Sequence, residues 1–128
     1  MKSRIQFSPV RKHQRFKAMG RALVLVNHGP EALPYHIVDI SEGGLSFRYL
    51  GHKLPNSEID TISLYHDYEL IVGDIPIQAV SDFRLRDNLV PVRRGSVSFG
   101  ELNQEQLSQL ETFIQNYTEA PLPLTSAQ

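Results

Sequence analysis

Cysteine is absent from the 128 residues. That excludes disulfides, thiolate metal sites and a cysteine nucleophile, and it agrees with a cytoplasmic protein. No run of about 18 apolar residues occurs, so no membrane-inserted helix is expected. Met1-Lys2-Ser3-Arg4 leads into no apolar core of the kind a secretory leader needs. The sequence also lacks a G-x-S-x-G elbow, a Walker A loop and a G-x-G-x-x-G turn. The five histidines, 13, 28, 36, 52 and 66, do not sit at metal-ligand spacing with partners. No catalytic residue, metal ligand or cofactor is therefore expected, and the chain does not read as an enzyme. His66-Asp67-Tyr68-Glu69 reads as a solvated loop between strands. Asp74, Asp82 and Asp87 read as turn residues.

Acids are missing from one end only. Residues 1–21 contain Lys2, Arg4, Arg11, Lys12, Arg15, Lys17 and Arg21 with no acid, a charge of +7. All 14 acids come later, against six bases, so the remainder carries −8 and the whole chain −1. Such a split suits a basic arm with an anionic target, although a solvated terminus would give the same count. The length fits one domain, and 41% apolar residues suffice for a single core.

Residues 1–19 show no clean period and read as an arm. Strands are expected at residues 21–26, 34–40, 45–49, 59–65, 68–72, 75–83 and 91–99, where β-prone or alternating residues lie between turn signals such as His28-Gly29-Pro30 and Gly73-Asp74. One helix follows. Asn103 and Gln106 form a capping-box pattern. Leu107, Leu110, Phe113, Ile114 and Tyr117 fall on one face, and Pro121 and Pro123 end it. Short strands followed by one amphipathic helix make a mainly β protein, a small antiparallel barrel with a C-terminal helix packed on it. The organisation expected is an arm at 1–19, a barrel with helix at 20–118 and a flexible tail at 119–128.

Two stretches carry candidate binding chemistry. Arg11 and Arg15 stand four apart in the arm, and Asp39-Ile-Ser41-Glu-Gly43-Gly44 ends a strand. Taken singly, each is ordinary: a basic surface segment, and a tight turn in which Gly43 or Gly44 supplies a positive φ. Taken as chemistry, arginine forks bind phosphate bidentately and read O6 and N7 of guanine. Asp39 can accept from guanine N1–H and N2–H₂. Ser41 can donate to a phosphate oxygen. Gly44 leaves room for a ligand against the main chain. Asp39 and Ser41, two apart, can share a face.

An R-x-x-x-R in a basic arm, then a strand, then D-x-S-x-x-G ending the next strand, resembles the PilZ domain, the bacterial receptor module for cyclic di-GMP. The resemblance runs over residues 9 to 118 and implies a six-stranded antiparallel barrel with one C-terminal helix. It implies that Arg11, Arg15, Asp39, Ser41 and Gly44 bind cyclic di-GMP, a nucleotide second messenger, with the arginines on a switch loop. Val10, Gly43 and Arg94 are secondary candidates. Val10 stands where an arginine goes with a stacked ligand pair in the family, so it points to one ligand per chain. Arg93-Arg94-Gly95-Ser96-Val97-Ser98-Phe99 is near the family's last-strand pattern R-x-G-V-x-F, with Ser96 added or substituted. Arg93 and Arg94 could equally be an exposed edge-strand pair. The function implied is a stand-alone receptor and adaptor. Its arm would order on the ligand and change the surface shown to a protein partner. The alternatives are a PilZ-like interaction domain without ligand, or an OB-like nucleic-acid barrel, against which the −8 body argues. Nucleic acid is not an expected partner.

Overall fold

The computed structural model describes residues 13–28, 31–50, 59–84 and 92–121. The element order is β1 (Phe16–Ala18), β2 (Ala22–His28), β3 (Glu31–Ile40), β4 (Gly44–Leu50), β5 (Ile59–His66), β6 (Glu69–Arg84), β7 (Val92–Phe99), α1 (Gln104–Tyr117) and β8 (Thr118–Pro121). Every strand pairing is antiparallel. The order β2-β5-β6-β7-β4-β3 closes on itself through a β2–β3 pairing, giving a six-stranded barrel. Closure removes the sheet edges that would otherwise invite association.

Strand β3 does two jobs along one edge. Its first half, Glu31–His36, pairs with β2, and its end, Asp39 and Ile40, pairs with β1. β1 in turn pairs with β8, so both form a short extension beyond the barrel. β1 lies inside the segment read from sequence as arm, and β8, from its second residue on, inside the one read as tail. At three and four residues they are too short to show a period. Residues 1–12 and 122–128 lie outside the described residues, as do the turn at Gly29-Pro30 and the one at Asp87-Asn88.

Inside the barrel, Val24, Ile37, Phe47, Ile62, Leu64, Val72 and Val97 are among the buried side chains. Alternation on β4 shows how they get there. Leu45, Phe47 and Tyr49 point in, and Arg48 is exposed on the other face. Gly95 on β7 faces the Phe47 ring, where a Cβ would come within 2.6 Å.

β6 was expected as two strands broken at Gly73-Asp74, but it is one strand of 16 residues. Asp74 takes φ 51° and donates its N–H to Ser63 Oγ at 3.1 Å, while the β5–β6 register shifts twice between Ile62 and Tyr65. The turn chemistry bends a long strand around the barrel instead of ending it. Asp82 lies within this strand, opposite Gly95, and not at a turn.

The helix is capped as its sequence requires. Asn103 Oδ1 accepts from Gln106 N at 2.7 Å, and Gln106 Oε1 accepts from Asn103 N at 3.1 Å. Gln106 Nε2 also donates to the carbonyls of Gly73 and Asp74, tying the helix to the bend in β6. Leu110, Phe113 and Ile114 are buried and Tyr117 is half-buried, but Leu107 is 42% exposed and lies outside the packed face. His66 is not in a loop. It ends β5, its ring stacks on Tyr117 with centroids 4.1 Å apart, and Asp67 beside it pairs with Arg21 at the surface.

Candidate functional site

The site lies on the outer face of the barrel, at the end of β3. Simple alternation would put Asp39 on the inner face with Ile37. A register shift prevents it: Ile37 pairs with Phe47, but Asp39 pairs with Ser46, leaving Val38 as an extra residue. The bulge turns Asp39 outward. It then lies beside Ser46 on β4, which pairs with Ser96 on β7. A polar row thus crosses three strands on the face opposite the core.

Two arginines close over this row. The Arg15 guanidinium, just before β1, donates through Nη2 to Asp39 Oδ1 and, at 3.5 Å, to Ser46 Oγ. Arg94, on β7, donates through Nη2 to Asp39 Oδ2 at 2.8 Å and to Ser46 Oγ at 3.0 Å. Asp39 is left 3% exposed and Ser46 1%, although both stand on an outward face. A carboxylate with a cation on each oxygen is a compensated buried charge. Arg94 is less favoured as a cation than a free arginine. Burial is the larger cause, and Arg48, its cross-strand neighbour, is the second. Each guanidinium has five N–H donors, and Asp39 and Ser46 occupy one terminal nitrogen of each.

Beside the arginines, residues 41–44 turn from β3 into β4. Ser41 N donates to Gly44 O at 2.8 Å, Gly43 N donates to Ser41 Oγ at 3.1 Å, and Ser41 Oγ reaches Gly44 O at 3.4 Å. The Ser41 hydroxyl therefore fastens the turn. Neither glycine has the positive φ expected of it. What requires them is close approach. A Cβ at Gly44 would fall on the Val97 carbonyl oxygen, and one at Gly43 would meet the His13 ring at 2.5 Å. A cleft of about 240 Å³ opens over the turn. His13, Arg15, Ser41, Gly43, Gly44, Ser96 and Ser98 line it, with Leu45 and Val97 at its floor.

Of the residues singled out in the sequence, Arg15, Asp39, Ser41, Gly43, Gly44 and Arg94 converge here. Arg11 and Val10 lie outside the described residues. Arg94 is not on an edge strand, because β7 is paired on both sides, by β4 and β6. Ser96 makes no bulge against β4: β4 and β7 pair without a shift from Gly44 to Leu50. Ser46 was missed. The clue was present in the alternation of Leu45, Phe47 and Tyr49, which puts Ser46 on the outer face beside the motif. Among the described residues, no group of three His, Cys, Asp or Glu side chains could hold a metal ion. No helix among them is long and apolar enough to cross a membrane.

The sequence profile of the PilZ domain matches residues 9–116. The chain belongs to the PilZ domain family. No curated protein matches it in sequence. Among solved structures, this PilZ domain is similar to K. pneumonia MrkH in complex with c-di-GMP, with a TM-score of 0.62 and 17% identity over 88% of this chain. It is also similar to MrkH in its apo state, with a TM-score of 0.58, 19% identity and 80% of this chain covered. A third similar structure is the PilZ domain of YcgR from Escherichia coli with c-di-GMP, with a TM-score of 0.55 and 16% identity over 84% of this chain. The chain spans about half of MrkH, 52% and 47% in its two forms, and 90% of the YcgR PilZ domain. At these identities the likeness is one of fold.

Proposed function

We propose that this PilZ domain is a receptor for cyclic di-GMP, bound in the cleft over residues 41–44. The observation that carries the reading is the convergence of Arg15, which lines that cleft, and Arg94 on one buried carboxylate. The ligand is a dianion with two guanines. Its phosphate offers Arg15 a bidentate anion in place of Asp39. As Arg15 leaves, Asp39 Oδ1 becomes free to accept from guanine N1–H and N2–H₂. Arg94 stays on Oδ2 and Ser46, so the carboxylate does not become an unpaired buried charge. Arg11, four residues before Arg15, supplies the second fork. Gly43 and Gly44 let the turn pack closely against His13 and the Val97 carbonyl at the edge of the cleft. The ligand-bound arm then presents a different surface to a protein partner.

Calorimetric titration tests this directly. Cyclic di-GMP should saturate at one ligand per chain, and a single-stranded oligonucleotide should give no comparable heat. Binding of the oligonucleotide without binding of cyclic di-GMP would replace this reading with a nucleic-acid barrel.

A further inference from the structure

One cation on the outer face has no contact of its own. The row next to Asp39, Ser46 and Ser96 is made by His36 on β3, Arg48 on β4 and Arg94 on β7, which stand opposite one another across the three strands. Arg94 is held by Asp39 and Ser46. His36 and Arg48 are exposed, and the Arg48 side chain makes no hydrogen bond or ion pair among the described residues. Like charges directly opposite in a ladder are destabilising. Here burial first, and then the Arg48 charge, disfavour the Arg94 cation. The barrel thus carries Arg48 at a cost and gains no contact from it.

The cleft over the turn is small for a dinucleotide. Its volume is about 240 Å³, whereas sites for drug-sized ligands run from roughly 300 to 1,000 Å³. A cyclic dinucleotide belongs at the large end of that class, so it must extend past the cleft onto the neighbouring surface. In one direction, past His13, the next cavity holds Glu42 and Glu111, both exposed, which repel a dianion. In the other, beyond Ser96, lies the row of Arg48, two strand residues or about 7 Å from Ser46.

We propose that Arg48, with His36 beside it, is a second phosphate subsite of the same ligand site. This deepens the receptor reading above and rests on it. One phosphate of cyclic di-GMP goes to Arg15 in the cleft. The other lies over the outer face of β4, where the Arg48 fork takes two of its oxygens and a ring N–H of His36 donates to the same group. An anion on Arg48 also offsets its repulsion of Arg94. Arg94 is then held more firmly on Asp39 at the moment Arg15 leaves, and the carboxylate keeps the partner that the exchange requires.

Calorimetry on the parent protein, Arg48→Gln and Arg21→Gln tests this with two probes. One is cyclic di-GMP. The other is linear GpG, which keeps both guanines but has a single phosphate. Arg21→Gln removes the same charge from the surface pair with Asp67 and serves as the control. Arg48→Gln should weaken cyclic di-GMP by about tenfold or more, the scale of one hydrogen bond to a charged group. It should leave GpG binding unchanged, and stability in denaturant unfolding unchanged or higher. Arg21→Gln should leave both affinities at the parental level. Parental affinity of Arg48→Gln for cyclic di-GMP would overturn the subsite and leave the receptor reading standing. Equal losses on both probes, or an equal loss in Arg21→Gln, would make Arg48 part of a general field and overturn the subsite too. So would a destabilised Arg48→Gln, which would give Arg48 a structural role. A parent protein that binds no cyclic di-GMP would remove the receptor reading and the subsite with it.

Discussion

Asp39 is held by two cations, and its neighbours depend on it in turn. Replacing it with alanine leaves Arg15 and Arg94 without their carboxylate and Arg94 facing Arg48. Hydrogen bonds to charged groups contribute about 1.5–3 kcal/mol each. Asp39→Ala should lower stability by at least that amount, read from denaturant unfolding. Arg15→Ala should leave the barrel folded, since Arg15 precedes β1, and should weaken cyclic di-GMP by about 1.5–3 kcal/mol in calorimetry. Arg11→Ala should do the same; near-parental affinity for both would remove the arginines from the site. The same carboxylate governs base identity. Adenine offers an acceptor at N1 and no N2 amine, so Asp39 would face a lone pair and an arginine a donor. Each lost bidentate reading costs about 1–3 kcal/mol. Cyclic di-GMP should therefore be preferred over cyclic di-AMP by at least about a hundredfold in competition binding. Comparable affinities would mean that the phosphates alone are read. At this scale, the spacing shared with the family singled out Arg15, Asp39, Ser41 and Gly44, and the fold brings these four together around one turn. Ser46 and the partner of Arg94 were not singled out, because both depend on which residues stand opposite across two strand pairs.

Among the elements, the helix was the most legible, since its cap and its three-and-four spacing are local signals. β1 and β8 were hidden by their brevity, and β6 was split by turn residues that bend it without ending it. The bulge at Val38 left no mark in the sequence, and the site depends on it. Val38→Ala should change binding little, because the extra residue remains. Deleting Val38 should restore regular pairing, Ile37 with Phe47 and then Asp39 with Ser46, and keep Asp39 on the outer face. The deletion should therefore keep cyclic di-GMP binding in calorimetry; a deletion variant that no longer binds would mean that the site needs more from the bulge than the outward face of Asp39. The two turn glycines, by contrast, differ from each other. Gly44→Ala pushes against the Val97 carbonyl across the β4–β7 pairing and should cost about 1–3 kcal/mol in unfolding measurements. Gly43→Ala meets only the movable ring of His13 and should leave stability unchanged.

For the whole molecule, hydrogen exchange should divide the chain in two. The barrel should exchange slowly with or without ligand, and residues 4–15 should gain protection when cyclic di-GMP is added. Equal exchange in both states would remove the switch while leaving the binding. The general architecture was readable because a closed barrel repeats one pattern, alternation, around its circumference. What joins the arm to the helix was not readable, because it depends on the pairing of Phe16 with Pro121, 105 positions apart. That pairing has a further consequence. Residues opposite each other in an antiparallel ladder have Cα atoms about 5 Å apart, so the polypeptide enters and leaves the described body at almost one point. A body with such a doorway can be spliced into a surface loop of another protein without stretching its host. Any ligand-driven change in how the arm leaves β1 would then pull on the host at the splice. Inserted in this way into a fluorescent protein, the domain should report its ligand as a change in brightness.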